Sequence, residues 1–280
     1  MMRRFLMFFS FLGLMSCQNF GQLTLVTDLS KSLKEVSGNE IIVNSDLIWM
    51  VNDSGNRSEV FGVNQLGEIE KVVKVIAKNH DWEDLASDEN GNLYIGDFGN
   101  NNRKRRKLSI LKIENQELLN QDEVAVSKIS FEYPKLEGQK KTSYDAEAFF
   151  YYQNYFYIFT KSRQKKRLGR TLLFKVPNVK GKHVATFISE YSFCNHIDCR
   201  ITAADISEDG KKVVLLNHQA IFVLTNFEVH DFFASELTEI PLDHTSQKEG
   251  VCFKDDNTLF ITDEYSVSTK GNLYSLKLNW

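Results

Sequence analysis

Short runs of alternating apolar and polar residues recur from residue 23 to the end of the chain. They are rich in Val, Ile, Phe, Tyr and Leu and are separated by turns of Gly, Asn and Asp. Alternation of this kind is typical of β-strands, and the periodicity of an amphipathic helix is almost absent. The pattern predicts an all-β domain, which can be a sandwich, a barrel or a propeller.

Internal repetition favours the propeller. Five units align, each reading strand, turn, strand, loop, strand, and they begin at the acids Glu35, Glu83, Glu147, Asp205 and Glu249. The unit starts are 44 to 64 residues apart, a spacing typical of four-stranded blades with loop insertions. A fourth strand follows in most units, for example over 71–76, 126–133 and 184–191.

The two ends of the chain suggest how the ring closes. The last unit ends at Trp280 with three strands, and an unassigned strand over 23–27 precedes the first unit. We expect this N-terminal strand to complete the last blade, because closure removes exposed sheet edges. The sequence therefore predicts a β-propeller of five blades with four strands each. Six blades are the alternative, with a degenerate blade in the long second unit or near 225–245.

The first residues have the features of an export signal. Arg3 and Arg4 precede an apolar segment over 5–15, which has the length of a signal peptide and is too short to span a bilayer. The next residues, Leu14-Met15-Ser16-Cys17, resemble a bacterial lipobox. We expect a lipoprotein signal peptide over 1–16, a lipidated N-terminus and linker over 17–22, and the propeller over 23–280. An ordinary secretory signal with an incidental Cys17 is the alternative.

This organisation places the domain in the bacterial cell envelope, anchored through Cys17 on the periplasmic or the cell-surface side. The whole chain has a net charge of −3, and removal of the signal also removes Arg3 and Arg4. The mature chain is thus mildly acidic, which gives no reason to expect nucleic-acid binding. We expect a monomer whose partner is a small molecule or an envelope ligand.

Three further cysteines fit an exported protein, because that compartment permits disulfides. Cys194 and Cys199 are spaced to close a small loop. A zinc site with His196 between them is the alternative, although few ligands crowd there. Cys252 lies in an apolar strand pattern and is expected to be a buried thiol.

The repeat predicts where a functional site lies. The first strand of a propeller blade lines the central channel, and the second runs antiparallel to it. The start of the first strand and the end of the second should therefore emerge on the same face. The five unit-starting acids would then form a ring around the channel mouth. The second-strand ends add Asn52, Asp53, Asp97, Lys161, Asn217, His218, Asp263 and Glu264.

Two explanations of the acidic ring compete. Carboxylates suit a hard cation such as Ca²⁺, which accepts about six to eight oxygen ligands. The candidate metal ligands are then Glu35, Glu83, Glu147, Asp205 and Glu249. Alternatively, each acid accepts backbone N–H hydrogen bonds from a neighbouring blade and holds the ring together. Both explanations stay open at this point, and they can apply to different blades.

Other candidates surround the ring. The residues suited to orient or deprotonate a water or a substrate are Asp53, Asp97, Asp263 and His218. The residues suited to bind a ligand are Asn52, Lys161, Arg163 and Arg103. The three bases come from basic loops after second strands, so acids at the centre and bases at the rim would suit an anionic ligand bridged by a metal. The chain has no Gly-x-Ser-x-Gly, His-Glu-x-x-His or phosphate-cradling glycine motif.

Five short motifs occur in order: Val51-Asn52-Asp53-Ser54-Gly55-Asn56, Asp81-Trp82-Glu83-Asp84-Leu85-Ala86, Tyr94-Ile95-Gly96-Asp97, Asp145-Ala146-Glu147-Ala148 and Glu249-Gly250-Val251. With them the mature chain resembles a group of exported bacterial propellers, related in layout to the SdiA-regulated and phytase-esterase-like propellers. A more distant likeness is to calcium-activated apyrases, which are five-bladed and hold a central Ca²⁺ among acids at blade starts. The likeness implies a cation, and the full nucleotide-binding pattern is not evident.

Two functions follow from the sequence. The first is a membrane-anchored, exported propeller whose central acidic site binds Ca²⁺ and hydrolyses a small ester or phosphoester. The second is a non-catalytic scaffold that binds a protein or a glycan of the cell envelope, since propellers serve both purposes. Whether the chain is an enzyme is left open between them.

Overall fold

The computed structural model describes residues 19–137, 144–266 and 269–279. In chain order its strands are β1 Thr24–Asp28, β2 Val36–Ile41, β3 Ile48–Asn52, β4 Glu59–Val63, β5 Ile69–Val75, β6 Trp82–Ser87, β7 Leu93–Asp97, β8 Leu108–Ile113, β9 Glu123–Val124, β10 Ser127–Glu132, β11 Asp145–Tyr152, β12 Tyr155–Lys161, β13 Arg170–Pro177, β14 Gly181–Val184, β15 Thr186–Ser192, β16 Ala203–Ile206, β17 Val213–Leu216, β18 Ala220–Thr225, β19 Glu236–Pro241, β20 Lys248–Asp255, β21 Thr258–Asp263 and β22 Asn272–Lys277. A short helix, α1, spans Asn115–Asn120. The predicted signal peptide and Cys17 lie outside the described residues.

The strands form five sheets, which are the five blades of a β-propeller. The blades are β2-β3-β4-β5, β6-β7-β8-β10, β11-β12-β13-β15, β16-β17-β18-β19 and β20-β21-β22-β1. The inner strands β2, β6, β11, β16 and β20 contact one another in that order, and β20 contacts β2 again. The predicted five-bladed architecture is therefore confirmed, with a closed ring of inner strands around the channel.

The N-terminal strand closes the ring. β1 pairs antiparallel with β22, with Thr24 opposite Ser275 and Asp28 opposite Asn272. The outermost strand of the last blade is thus contributed by the beginning of the domain, as predicted, one residue further along the chain. This arrangement ties the two ends of the domain together and leaves β22 without a free edge.

The long insertions widen blades and do not add one. β9 pairs in parallel with β5 of blade 1, and β14 pairs in parallel with β10 of blade 2. Each of these strands therefore returns from its own unit to cover the outer edge of the preceding blade. The ranges that the structure describes contain no sixth sheet. No helix within those ranges has the length and apolar character needed to cross a membrane.

The hydrophobic core lies between the blades, in clusters that each draw on two neighbouring sheets. Side chains of β3 show the reason. Trp49 and Val51 pack against blade 2, whereas Ile48 and Met50 pack against blade 5. Alternate residues of a strand point to opposite faces, and both faces of a blade are buried. Near-continuous apolar runs such as that over 48–51 follow from this two-sided burial.

The hairpins between first and second strands surround one mouth of the channel, where they line a cavity of about 650 Å³. The hairpin of blade 3 turns at Gln153 and Asn154, whose φ values of 48° and 63° are those of a two-residue hairpin turn. The opposite mouth is formed by the starts of the first strands and the ends of the second strands. We refer to it as the acidic mouth.

Candidate functional site

β-Bulges place three of the predicted acids at the acidic mouth. The strand register shifts at Glu83 in β6, at Glu147 in β11 and at Glu249 in β20. A bulge leaves an extra residue outside the regular pleat and redirects its side chain. As a result, Glu147 and Glu249 both form ion pairs with Lys161, and Glu83 lies within 4.8 Å of Glu147.

Glu35 occupies a different position in its blade. The register shift of β2 falls at Ser37, whose hydroxyl donates to the Trp82 carbonyl oxygen (3.0 Å). Glu35 precedes the bulge and accepts a hydrogen bond from Asn56 Nδ2 (2.6 Å). It is absent from the two carboxylate groups that the described residues bring together. The predicted equivalence of Glu35 with Glu83 is therefore corrected.

Asp205 lies at the other end of the channel. Its carboxylate accepts hydrogen bonds from the backbone amides of Phe253 (2.7 Å) and Ile206 (2.7 Å), and it lines the cavity formed by the hairpins. At the start of the inner strand, blade 4 instead has Thr202, whose hydroxyl donates to the Lys248 carbonyl oxygen (2.6 Å). The structure thus corrects the placement of Asp205 among the ring acids, because blade 4 supplies no carboxylate there.

Three carboxylates from blades 1 and 2 form a compact group, the acidic trio of Asp53, Asp81 and Glu83. One oxygen of each lies within 4.8 Å of the others. Glu83 is buried, and Asp53 and Asp81 are half-buried. The Asp53 amide donates to the Glu35 carbonyl oxygen (2.9 Å), which fixes the turn that carries it. In the described part of the chain, no ion pair involves a trio carboxylate.

A glycine makes room for the trio. A β-carbon at Gly99 would collide with the Glu83 carboxylate and with the Asp81 carboxylate. The Gly99 amide also donates to the Asp81 carbonyl oxygen (3.1 Å). The loop after β7 therefore forms a wall of the site, and this wall requires a residue without a side chain.

Burial and repulsion by neighbouring carboxylates raise the pKa values of all three trio carboxyl groups. Burial raises the pKa of Asp53 to about 6, and Asp81 adds to the shift. Burial, followed by the charges of Asp53, Asp145 and Asp81, raises the pKa of Glu83 well above its usual range. Glu264 lies at the same mouth, and burial and the charge of Glu249 raise its pKa to about 8. The positive charges of Arg105, which acts on Asp81, and of Lys161, which acts on Glu83, do not offset these shifts.

The neighbouring carboxylates of blade 3 form direct ion pairs with basic side chains. Asp145 and Glu147 form a second group with Glu83, but both also pair with bases. Arg163 binds Asp145 through Nε and Glu147 through an Nη group (3.0 Å). Lys161, which is buried, pairs with Glu147. Since these charges are compensated, the acidic trio is the better candidate for holding a cation.

His218 bridges two carboxylates at the same mouth. Its Nε2 lies 3.4 Å from Glu249 Oε1, and its Nδ1 lies 3.5 Å from Asp198 Oδ1. Burial by itself would raise the pKa of Glu249, but Lys161 and His218 outweigh it and lower that pKa. Glu249 is consequently a charged partner of Lys161 (3.7 Å) and His218, and it is absent from the two groups of potential metal ligands.

The remaining predicted second-strand residues mainly support the scaffold. Asp97 accepts from Arg105 (2.8 Å) and contacts His80 Nδ1 (3.1 Å). Asp263 accepts hydrogen bonds from the Asn272 amide (2.8 Å) and the Tyr274 hydroxyl (2.9 Å). Both carboxylates are buried and hydrogen-bonded within their own blades, and Asp263 also lines a cavity together with His218.

Two predicted ligand-binding residues also fall outside the cluster. The Asn52 side chain donates to the Ser32 carbonyl oxygen (2.8 Å) and accepts from the Glu35 amide (3.3 Å), so it braces the turn before β2. Arg103 is half-buried in the loop after β7. It forms none of the ion pairs within the described ranges, and its buried Nε has no hydrogen-bond partner there.

Asp84 makes hydrogen bonds of the kind that the second explanation of the acids describes. It is fully buried beside Glu83, and its carboxylate accepts from the amides of Phe149 in blade 3 (3.2 Å) and Ala204 in blade 4 (3.4 Å). Together with Asp205, which connects blade 4 to blade 5, it joins blades across the channel. Acids at the acidic mouth and acids inside the channel thus have different roles.

A disulfide closes the connection between blades 3 and 4. Cys194 and Cys199 are bonded, so neither thiol is available for zinc, and Cys252 is a buried free thiol. The closed loop carries Asp198 to His218, and Arg200 follows directly. Neither residue was among the predicted site residues, because distance along the chain does not show that this loop folds over the acidic mouth.

Comparisons with known proteins support the fold alone. No protein-family model matches the chain, and no curated protein sequence matches it. The PQQ-bound aldose sugar dehydrogenase of Streptomyces coelicolor is similar in structure, with a TM-score of 0.52 and 7% identity over 92% of this chain and 98% of that chain. Virginiamycin B lyase from Staphylococcus aureus gives a TM-score of 0.44 at 12% identity, over 88% of this chain and 67% of that one. A luciferin-regenerating enzyme gives a TM-score of 0.48 at 11% identity, over 89% and 94%. The chain is therefore similar to β-propellers.

Proposed function

We propose that the acidic mouth binds a Ca²⁺ ion and presents it to a small phosphoester or ester, which the protein hydrolyses. The observation that carries this proposal is the acidic trio, whose carboxylates converge within 4.8 Å. Within the described residues the trio has no ion-pair partner, whereas the adjacent blade 3 carboxylates have two. We infer that the trio is built around a cation supplied from solution.

The donor set fits Ca²⁺. All three side chains offer oxygen, which hard cations prefer, and Ca²⁺ tolerates irregular geometry and a high ligand number. Zinc prefers nitrogen and sulfur in a tetrahedral arrangement, and the trio contains no histidine or cysteine. A cation bound by Asp53, Asp81 and Glu83 would supply polarisation of an ester or phosphoryl oxygen.

The other residues of the mouth support hydrolysis. His218 has carboxylates on both ring nitrogens, Glu249 on one side and Asp198 on the other. Both contacts are long, 3.4 and 3.5 Å. One ring nitrogen can therefore exchange its carboxylate for an attacking water and take the proton of that water, while the other contact keeps the ring oriented. Lys161 and Arg163 hold Glu147, whose carboxylate lies within 4.8 Å of Glu83, so the side of the mouth next to the trio is fixed by ion pairs.

Glu83→Gln is expected to weaken Ca²⁺ binding by about tenfold or more, because the variant loses the buried charge shared by both carboxylate groups. Calorimetry on the chain from residue 18 onward, which contains every described strand, measures this after treatment with chelator. Glu35→Gln is the matched control. This substitution removes a charge from the start of the neighbouring blade, where Glu35 belongs to neither group of converging carboxylates. The variant protein should bind Ca²⁺ like the wild type.

Either of two results would argue against the proposal. The wild-type protein, folded and free of metal, could fail to bind Ca²⁺, which would favour an envelope-binding scaffold. Equal losses in the Glu83→Gln and Glu35→Gln variants would show that the overall acidity of the mouth, and not the trio, attracts the ion. Stoichiometric binding that depends on Glu83 would justify a screen of phosphoesters and esters.

We further propose that the protein is exported and anchored in the cell envelope through a lipid on Cys17. The lipobox-like Leu14-Met15-Ser16-Cys17 supports this. Cys17→Ser is expected to move the protein from the membrane fraction to the soluble fraction and to abolish incorporation of labelled palmitate. A variant that stays in the membrane fraction would contradict lipid anchoring, and Cys252→Ser, which removes a buried thiol, serves as the control.

A further inference from the structure

Directly after the disulfide-closed loop between blades 3 and 4 comes Arg200, whose guanidinium forms no ion pair with the described residues. Arg200 follows the short 3₁₀ turn Ile197–Cys199, and its Nε donates to the Ile197 carbonyl oxygen (2.9 Å). This hydrogen bond uses Nε to fix the side chain to its own loop, and it leaves both Nη groups available as donors. Among the residues that the structure describes, neither Nη group has a hydrogen-bond or ion-pair partner.

The surroundings of Arg200 are those of the acidic mouth. Burial and the neighbouring Arg163 guanidinium lower the pKa of Arg200, and Glu249, Asp145 and Asp198 oppose that shift. The other cations of the mouth are engaged. Arg163 is bound to Asp145 and Glu147, and Lys161 is bound to Glu147 and Glu249. Arg200 is thus the base of the mouth whose donors are left for a ligand, and an anion beside it would offset its repulsion from Arg163.

We propose that Arg200 is the anion-recognition residue of the acidic mouth and that it binds a phosphoryl group. The inference rests on the proposed function, because the many acids of the mouth would repel a free anion unless a cation is bound in the trio. A guanidinium binds two oxygens of one anion. The phosphoryl group of a monoester has a third terminal oxygen for the cation, whereas a carboxylate does not, so the substrate class is a phosphomonoester.

The disulfide positions Arg200. It joins cysteines that are five positions apart in the chain, and the loop between them also holds Asp198 beside His218. Phe193 and Ile201, on either side of this segment, pack in the cluster between blades 3 and 4, whereas residues 194–200 do not belong to it. Reduction of the disulfide should therefore release Arg200 and leave the propeller and the trio in place.

Calorimetry with methylphosphonate tests this subsite. The Ca²⁺-loaded wild-type protein is expected to bind methylphosphonate, and Arg200→Gln should weaken that binding by about tenfold while Ca²⁺ binding stays unchanged. Arg106→Gln, which removes an exposed arginine from the basic loop after β7, is the matched control and should bind both ligands normally. The double variant Cys194→Ser/Cys199→Ser should reproduce the loss seen in Arg200→Gln. Acetate should not compete with methylphosphonate.

The outcomes separate the two proposals. If Ca²⁺ binds and methylphosphonate does not, or if Arg200→Gln binds methylphosphonate like the wild type, the subsite is overturned and the cation site stands. If the wild type does not bind Ca²⁺, the proposed function fails. Methylphosphonate binding that still depends on Arg200 would then keep the subsite but overturn its dependence on the cation, and the absence of that binding would overturn the subsite as well. Competition by acetate would overturn the assignment to phosphoryl groups.

Discussion

Gly99→Ala is expected to lower Ca²⁺ affinity by about 100-fold. The added β-carbon would occupy the position of the Glu83 carboxylate and crowd the Asp81 carboxylate. Two of the three trio ligands would have to move. The φ angle of Gly99 lies outside the left-handed region, and the atoms in conflict are the ends of side chains, so the backbone can keep its course. Calorimetry with Ca²⁺ measures the loss.

A double-variant cycle shows whether this loss has the proposed cause. Gly99→Ala and Glu83→Gln disturb the same ligand, so their effects on Ca²⁺ affinity should not add in the combined variant. Thermal unfolding without Ca²⁺ should show a cooperative transition for each variant, since the interblade clusters are untouched. Wild-type affinity in Gly99→Ala, or fully additive losses, would place the ion outside the trio.

The sequence was sufficient to predict the architecture, because each blade produces a strong periodic pattern of apolar strands and polar turns. Each second strand is a nearly continuous apolar run, such as that over 156–159, whose residues are buried on both faces. The spare strand near the N-terminus and the missing strand at the C-terminus together predicted the closure by β1 and β22. The outer strands β9 and β14 were not predicted, because two to four residues that pair in parallel carry little pattern of their own.

The site was harder to predict because it depends on single-residue shifts of register. Blades 2 and 3 share an Asp-x-Glu pattern at Asp81-Trp82-Glu83 and Asp145-Ala146-Glu147. The glutamate is the bulged residue in both. Aligning each blade on a single acid equated Glu35 with these glutamates. Glu35 instead lies two residues before the bulged Ser37, just as Asp81 and Asp145 lie two residues before the bulged glutamates. The repeated Asp-x-Glu spacing was the signal that could have identified Asp81 and Asp145.

Residues brought in by loops had no such signal. Gly99, Asp198 and Arg200 belong to segments whose path over the mouth is set by tertiary contacts, for example the bond from the Gly99 amide to Asp81. In blade 4, the acid nearest the strand start was Asp205, which lies two positions beyond Ala203, the first residue of β16. A short strand with no acid at its start therefore misled an alignment that required one.

Asp205→Asn is expected to remove a pH-dependent loss of stability of about 4 kcal/mol between pH 4 and pH 8. Burial raises the pKa of Asp205 to about 7 from an ordinary value of 3.8, although the amides of Phe253 and Ile206 oppose that shift. The folded protein then binds a proton that the unfolded chain releases. Stability is greatest below the unfolded pKa and falls as the pH rises through the folded pKa.

The groups that face Asp205 act in the same direction. Burial and the charge of Asp205 raise the pKa of Glu40 well above its usual range, and Asp84 is a further buried acid nearby. The Cys252 thiol also faces this set, and burial raises its pKa. Removing the Asp205 charge should make ionisation of Glu40 easier. The stability difference between wild type and variant should therefore change steadily with pH and not at a single pKa.

Denaturant unfolding of wild type and Asp205→Asn at several pH values between 4 and 8 measures that difference. The wild type should lose stability relative to the variant as the pH rises, because asparagine can still accept one of the two amide hydrogen bonds and never ionises. Glu208→Gln removes an exposed carboxylate from the same hairpin and is the matched control, whose difference from wild type should stay nearly constant. If the Asp205→Asn difference is also constant, Asp205 is charged in the folded protein throughout this range. Its bonds to blade 5 would then fully compensate for burial, and the carboxylate would act as an ionic clamp between the blades.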